Sequence, residues 1–408
     1  MADQPWKTDQ WFSSPWNYLP EIADAFNLPE KVKIHDVTLR DGEQQAGVEF
    51  STGEKLRIAS LLADAGIHRI EAGLPAVSPA DEAAVRAIAS EDLGDTEVYA
   101  FARCMVSDVK LAIDCGAKGV VMEIPSSHHL IEKAYKWPVE KAIDLSIEAT
   151  TYAKEHDLKV TFFPIDATRA SITEYMNMIT TVATQGHVDA VALVDTFGVL
   201  SPHAVSYFAR KTREALDVPL ETHFHMDFGM GVANTILAVT EGVEVLQTTV
   251  TGIGERSGNT PTEETILALL TMYGIDTGIK TEMFKQISDE VLEMAGVTMP
   301  SNRPIVGDQL FNVESGIIAT WVNNVGDADM TEAFPFRPEL VGQGPPEIVL
   351  GKGSGLDSVA IWLDRNGMEA ADNDELMEVL MAVKAKSLEK KGLLDNDEFV
   401  TVAKSIID

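Results

Sequence analysis

From residue 33 onward, short β-branched apolar runs alternate with longer amphipathic segments. The runs fall at 33–39, 68–73, 96–102, 119–124, 158–163, 189–194, 220–225 and 245–249. Helical periods lie between them, as in Gly53–Ala65, Pro79–Ser90, Val139–Glu155 and Pro202–Leu216. Strands alternating with helices read as parallel βα units. Eight such units predict an α/β fold, a closed (β/α)8 TIM barrel. A doubly wound open sheet is the alternative. It usually carries a glycine-rich phosphate loop after its first strand, and none follows here.

A barrel of this kind takes about 250 residues, and the chain has 408. The reading therefore divides it into an N-terminal arm (1–30), a barrel (31–275) and a linker with a helical C-terminal subdomain (276–408). Trp6, Trp11 and Trp16 make the arm too aromatic for a disordered tail, so it is expected to pack on the barrel or on a neighbouring subunit. Thr281–Ala295 reads as a helix ended by Gly296. Pro300 to Gly355, rich in Gly and Pro, reads as irregular. Asp374–Lys391 and Asp395–Ile407 read as amphipathic helices with Gly392 as a C-cap between them.

The ends of the strand segments carry the chemistry. The first gives Arg40-Asp41, the second Glu71, the third Arg103, the fourth Glu123, the sixth Asp195-Thr196 and the seventh His223 and His225. In a barrel these ends form the active face. An Arg beside an Asp on a turn is commonly an ordinary surface ion pair, and Glu71 or Glu123 could merely close a salt bridge with a barrel arginine. His223-Phe224-His225 changes the weighing, because residues i and i+2 of a strand point the same way. Two imidazoles and the Asp41 carboxylate converging at one mouth suit a divalent cation.

Composition narrows the partners. With 32 Lys+Arg against 64 Asp+Glu, the net charge of −32 argues against nucleic-acid binding. Anionic substrates then need a locally basic site, for which Arg40, Arg103, Arg169 and Arg256 are the candidates. No apolar run is long enough to span a membrane, and the N-terminus lacks the order of a signal peptide, so a cytoplasmic location is expected. Cys104 and Cys115, the two cysteines, sit in apolar periodic surroundings and read as reduced core residues.

Thr38-Leu39-Arg40-Asp41-Gly42-Glu43-Gln44, the later His-x-His and Gly252-Ile253-Gly254-Glu255-Arg256-Ser257-Gly258-Asn259 together resemble the metal-dependent barrel enzymes that include 2-isopropylmalate, homocitrate and citramalate synthases and, more distantly, hydroxymethylglutaryl-CoA lyase. The resemblance implies a condensation of acetyl-CoA, or a related acyl-CoA, with a 2-oxo acid. It implies Zn, Mn, Mg or Co held by Asp41, His223, His225 and Asn259. It places Arg40 at the developing oxyanion, Thr196 on the 2-oxo acid carboxylate and Arg103 and Glu71 on the substrate side. Gly254 and Glu255 fall on the acyl-CoA side. It also implies a homodimer or larger assembly, since in the synthases the region after the barrel reaches over a partner's barrel. A further regulatory domain, which some of them add, is not expected in residues 276–408.

The chain departs from that family in its acid–base half. Ile165 stands where the synthases have an acidic residue, Met226 where they have Asn and Ile318 where they have His; Ala333 falls near their tyrosine. Glu255 and His129 are the candidate replacements for the missing proton-transfer group. A lyase or aldolase cleaving a 3-hydroxy acid or its CoA ester is the second reading, and a non-catalytic metabolite-binding relative the third. The lyase's catalytic cysteine is absent from the GERSGN loop.

Overall fold

The computed structural model describes residues 4–407. Eight parallel strands close into a barrel in chain order: β1 (Lys33–Asp36), β2 (Arg69–Glu71), β3 (Glu97–Arg103), β4 (Gly119–Pro125), β5 (Lys159–Ile165), β6 (Ala190–Asp195), β7 (Leu220–Phe224) and β8 (Val245–Thr248). Closure comes from β1 pairing with β8, Lys33 opposite Val245 and Asp36 opposite Thr248. A helix follows each strand, from Thr52–Ala65 after β1 to Thr262–Tyr273 after β8. Local chemistry starts these helices. Ser51 with Glu54 and Ser171 with Glu174 form reciprocal capping boxes, each satisfying two backbone N–H groups that no helical carbonyl can reach.

β1 is shorter than its apolar run suggested. The Asp36 carboxylate accepts from the Thr38 N–H (2.9 Å) and hydroxyl (3.0 Å), turning the chain before Val37 to Leu39 can extend the ladder. Residues Val37–Asp41 therefore form a turn at the barrel mouth, followed by a short 3-10 helix Gly42–Gln44.

The chain forms two compact units, residues 16–299 and residues 4–15 with 300–407. Both boundaries differ from the sequence reading. The helix Phe284–Ala295 belongs to the barrel unit, where its Ser288 hydroxyl donates to Glu263 at 2.7 Å. The arm is split. Tyr18 donates to the Thr271 carbonyl of the barrel unit (2.9 Å), whereas Phe12 N–H bonds the Pro335 carbonyl (2.9 Å) of the other unit.

That second unit is more ordered than its Gly/Pro content implied. It holds helices Gly316–Val325 and Leu356–Arg365 besides Asn373–Lys390 and Asn396–Lys404. Lys391, at φ 56°, takes the left-handed cap expected of Gly392. Its core is Leu350, Val359, Leu363, Val379, Val383, Leu394 and Phe399, closed by the Trp362 ring against Phe399.

Candidate metal centre at the barrel mouth

Phe101, Val121, Phe163 and Val194 build the apolar floor of the lumen. Above it, Phe163 packs edge-on to His223 with ring centroids 4.8 Å apart, and the Arg40 guanidinium lies 4.1 Å over the Phe101 ring. The strand ends thus bring Arg40, Asp41, His223 and His225 together, all four buried. Asp41 Oδ2 lies 3.4 Å from His223 Nε2 and 3.9 Å from His225 Nε2.

Hydrogen bonding fixes which imidazole nitrogens are free. His225 Nδ1 faces the Gly258 carbonyl (3.1 Å), which can only accept. His223 Nδ1 faces Gln247 Oε1 (2.9 Å). The Gln247 amide is oriented because its Nε2 donates to a Glu221 carboxylate oxygen at 2.9 Å, and an ionised carboxylate is acceptor-only. Both Nδ1 atoms therefore carry the proton. Burial lowers the His223 pKa and takes that of His225 to about 4, so both rings are neutral near pH 7. Their Nε2 atoms, 3.3 Å apart, then present two lone pairs to one another. That is not a hydrogen bond; it is a pair of donor atoms that could hold a cation. Burial alone would raise the Asp41 carboxyl, but the Arg40 guanidinium beside it holds it well below the usual carboxylate range.

The glycine-rich loop completes the cluster. Met226 N–H bonds Gly258 O (3.0 Å) and Thr260 N–H bonds Phe224 O (3.0 Å), laying the loop along the end of β7. Asn259 Nδ2 donates to Asp41 Oδ1 at 2.8 Å, while its Oδ1 is buried without a partner. A buried carbonyl oxygen left unpaired is costly, and this one fits a fourth ligand. At Gly254, φ is +151°, and a Cβ would strike the Asn259 amide and come within 3.0 Å of Asp41 Oδ1. Only glycine lets this backbone pass so close.

A polar network supports the cluster from below. Glu221 accepts from Arg69 Nη1 (2.7 Å), Thr161 Oγ1 (3.0 Å) and Gln247. Burial would raise its pKa, but His35, Arg69 and Gln247 bring it to about 2. Neither Glu221 nor Gln247 was singled out in the sequence. The signal was available in register, since His223 lies opposite Gln247 on β8.

Other expected residues take distinct places. Glu71, expected on the substrate side, is fully buried and bonded to Arg40 Nε. It holds the guanidinium from beneath, and Arg40 covers it. Thr196 Oγ1 accepts from Asp166 N–H (2.8 Å), which leaves its O–H to donate. Arg103, about half exposed, is bound in a fork by Asp108 at 2.7 and 3.1 Å. Glu255 is 56% exposed and 3.4 Å from Arg256 on the same loop. His129, 43% exposed, lies 3.0 Å from Asp166.

The HMGL-like domain family matches residues 31–291. The chain belongs to that family. It is 39% identical over 90% of its length to homocitrate synthase AksA of Methanopyrus kandleri, covering 91% of that protein. It is 36% identical to homocitrate synthase AksA of Methanothermobacter thermautotrophicus, covering 97% of this chain and 98% of that one. With 2-isopropylmalate synthase of Methanocaldococcus jannaschii it shares 37% identity over 93% of this chain and 72% of that one. Among solved structures, the HMG-CoA lyase of Bacillus subtilis superposes with a TM-score of 0.60 at 20% identity, over 67% of this chain and 96% of that one. That likeness is one of fold. Among the described residues no helix is long and apolar enough to cross a membrane.

Proposed function

We propose that this chain condenses acetyl-CoA, or a related acyl-CoA, with a 2-oxo acid and hydrolyses the thioester, releasing CoA and a 2-alkylmalate- or homocitrate-like acid. The observation that carries the reading is the cluster of Asp41, His223 and His225 beside Arg40, in a chain whose relatives named homocitrate synthase align over nearly its whole length.

Asp41, His223, His225 and Asn259 would hold a divalent cation, and this mixed O/N donor set suits Zn, Mn, Mg or Co. Such an ion, when bound, polarises the keto carbonyl of the 2-oxo acid. Arg40 Nη2 is buried and has no acceptor, so it is available to the oxyanion that forms as the keto carbon is attacked. The Thr196 hydroxyl would donate to the carboxylate of the 2-oxo acid. Gly254 and Glu255 would flank the acyl-CoA. The cleavage reading is weaker, because the loop Gly254–Asn259 carries no thiol. The cysteines lie elsewhere, and burial pushes the Cys104 thiol up to about 12.

We place the enzyme in the cytoplasm as a homodimer or larger. Ile317 and Trp321, one helical turn apart, are 69% and 53% exposed on Gly316–Val325, which supports assembly. The test is a panel of 2-oxo acids with acetyl-CoA and a divalent cation, reading free CoA thiol. Release with one or a few acids is expected. No release, together with cleavage of a hydroxy acid, reverses the assignment.

A further inference from the structure

Within the synthase reading, a base must take a proton from the acyl-CoA methyl group. The carboxylates around the mouth are nearly all committed. Asp41 and Glu71 are taken by Arg40, Asp108 by Arg103, Asp166 by Arg169 and Asp227 by Arg256. Glu255 is more than half exposed and faces its loop neighbour Arg256. His129 is held by Asp166.

Glu123 is different. Side chains of a strand alternate, and Val121, two residues earlier on β4, belongs to the lumen floor. Glu123 therefore faces the same interior, one layer nearer the mouth. Its register neighbours are Arg103 on β3 and Phe163 on β5, and the Phe163 ring touches His223. Adjacent strands are about 4.8 Å apart, so Glu123 sits one strand from the wall of the metal cluster. Among the described residues it forms no ion pair. Its hydrogen-bond partner is the Tyr135 hydroxyl, which donates at 3.4 Å.

We propose that Glu123 is the general base of the condensation, an inference that rests on the synthase reading. Its carboxylate takes the proton from the thioester methyl, and the C–H pair becomes the enolate double bond. That carbon then bonds the keto carbon, whose π pair moves to oxygen. Glu123 returns the proton to this alkoxide and is regenerated as carboxylate before water cleaves the thioester. The environment suits the task. Burial raises the Glu123 pKa, opposed by Arg40, Tyr135 and Arg103 and assisted by Asp108, bringing the carboxylate closer to the operating pH, where a base is most effective. Tyr135, pushed up to about 12, stays protonated and keeps donating.

The experiment uses the full-length, metal-loaded enzyme and the 2-oxo acid that gives most CoA release. Glu123→Gln should lower kcat at least about a hundredfold, with metal content and the KM for the 2-oxo acid unchanged. The isotope effect with methyl-deuterated acetyl-CoA should rise as proton removal becomes rate-limiting. Tyr135→Phe, at a partly exposed position, should move the acid limb of kcat/KM to higher pH, because the carboxylate loses a donor. An active wild type matched by Glu123→Gln, or a Tyr135→Phe profile superposing on wild type, overturns this inference alone. A wild type that releases no thiol with any 2-oxo acid overturns the synthase reading itself.

Discussion

Glu221 bonds Arg69, Thr161 and Gln247 rather than the candidate ligands, yet its replacement should weaken metal binding. The carboxylate is fully buried and accepts from Arg69, Thr161 and Gln247. Glu221→Gln keeps the volume and removes the charge. One face of the new amide must then present N–H groups to side chains that themselves donate. A carboxyl held at about 2 rather than at its ordinary 4.5 corresponds to about 3 kcal/mol in favour of the ionised form. Breaking a buried ion pair by removing one partner typically costs about 3–5 kcal/mol. Of its two carboxylate partners Arg69 keeps Glu97, 3.5 Å away and partly exposed, so a loss of about 3 kcal/mol of folding stability is expected. The second effect is on Gln247. Freed from an acceptor-only partner, its amide can flip and offer N–H to His223 Nδ1. The proton would then move to Nε2, the nitrogen the cation needs. Groups that orient a ligand in this way are worth about 10–100-fold in metal affinity.

The assay has two arms: urea unfolding of the metal-free protein, and competition for the ion against a calibrated chelator. Glu221→Gln should lower the midpoint at unchanged m-value and weaken the metal at least about tenfold. A variant with wild-type affinity would refute the relay from Glu221 through Gln247 to His223, even if stability fell.

His223→Ala should abolish stoichiometric metal binding while leaving the barrel folded by circular dichroism, and chelation of the wild type should stop turnover; a fully active metal-free preparation would end the metal assignment. Gln247→Leu should weaken the metal about 10–100-fold with Arg69–Glu221 still paired, as read by the same chelator competition. Gly254→Ala should lower metal content, because its Cβ collides with the Asn259 amide; a normal content would show that the loop can shift. His68, whose Nδ1 accepts from Ile34 N–H at 3.1 Å, has its pKa lowered by burial and nearby Lys31 and Lys33 to about 4 from 6.5. Its contribution is present above pH 6.5 and lost as pH falls through 4, about 1–2 kcal/mol after discounting its partial exposure. His68→Asn, which keeps an acceptor without the titration, should flatten denaturation midpoints across that window; an unchanged slope would count against the assignment.

The barrel was legible because its apolar period switches eight times between strand and helix; the strand ends were less so, since β1 stops at Asp36 where that carboxylate turns the chain onto Thr38. The grouping of Asp41, His223 and His225 was legible because strand parity puts the two histidines on one side and Asp41 ends another segment at the same barrel mouth, whereas Asn259 entered only through the resemblance. Depth and partnership were not legible. Glu71 and Glu123 look alike as acidic residues at strand ends, yet Arg40 caps Glu71 while Glu123 is left with a phenol. Helix Gly316–Val325 was missed because glycines flank it and its Ile317 and Trp321 are exposed, which blurs the buried period. Gln247 belongs to no motif, and its importance lies in a partner on the next strand.

The acidic surface sharpens the choice among the four arginines expected to draw anions. Arg103 is forked by Asp108, Arg169 by Asp166 and Arg256 by Asp227. Each pair leaves little net charge for an incoming carboxylate. Arg40 also meets carboxylates, Glu71 and Asp41, but its Nη2 remains buried and unpaired. Asp41 would in addition share its charge with the bound cation. In a chain of net charge −32, then, the positive potential felt by a 2-oxo acid would come from a cation held by Asp41, His223 and His225 together with Arg40, inside the lumen, where low dielectric strengthens it. The rim adds little attraction. It follows that Arg103→Gln should change the KM for the 2-oxo acid only about two- to threefold, the size expected of a rim charge that is screened and already paired, whereas Arg40→Lys should cut kcat at least about a hundredfold, since an ammonium cannot reproduce a fork that engages Glu71, Asp41 and an oxyanion together. Steady-state kinetics of the two variants at fixed ionic strength separates them, and a large KM rise in Arg103→Gln would show that the rim arginine, not the lumen, meets the substrate.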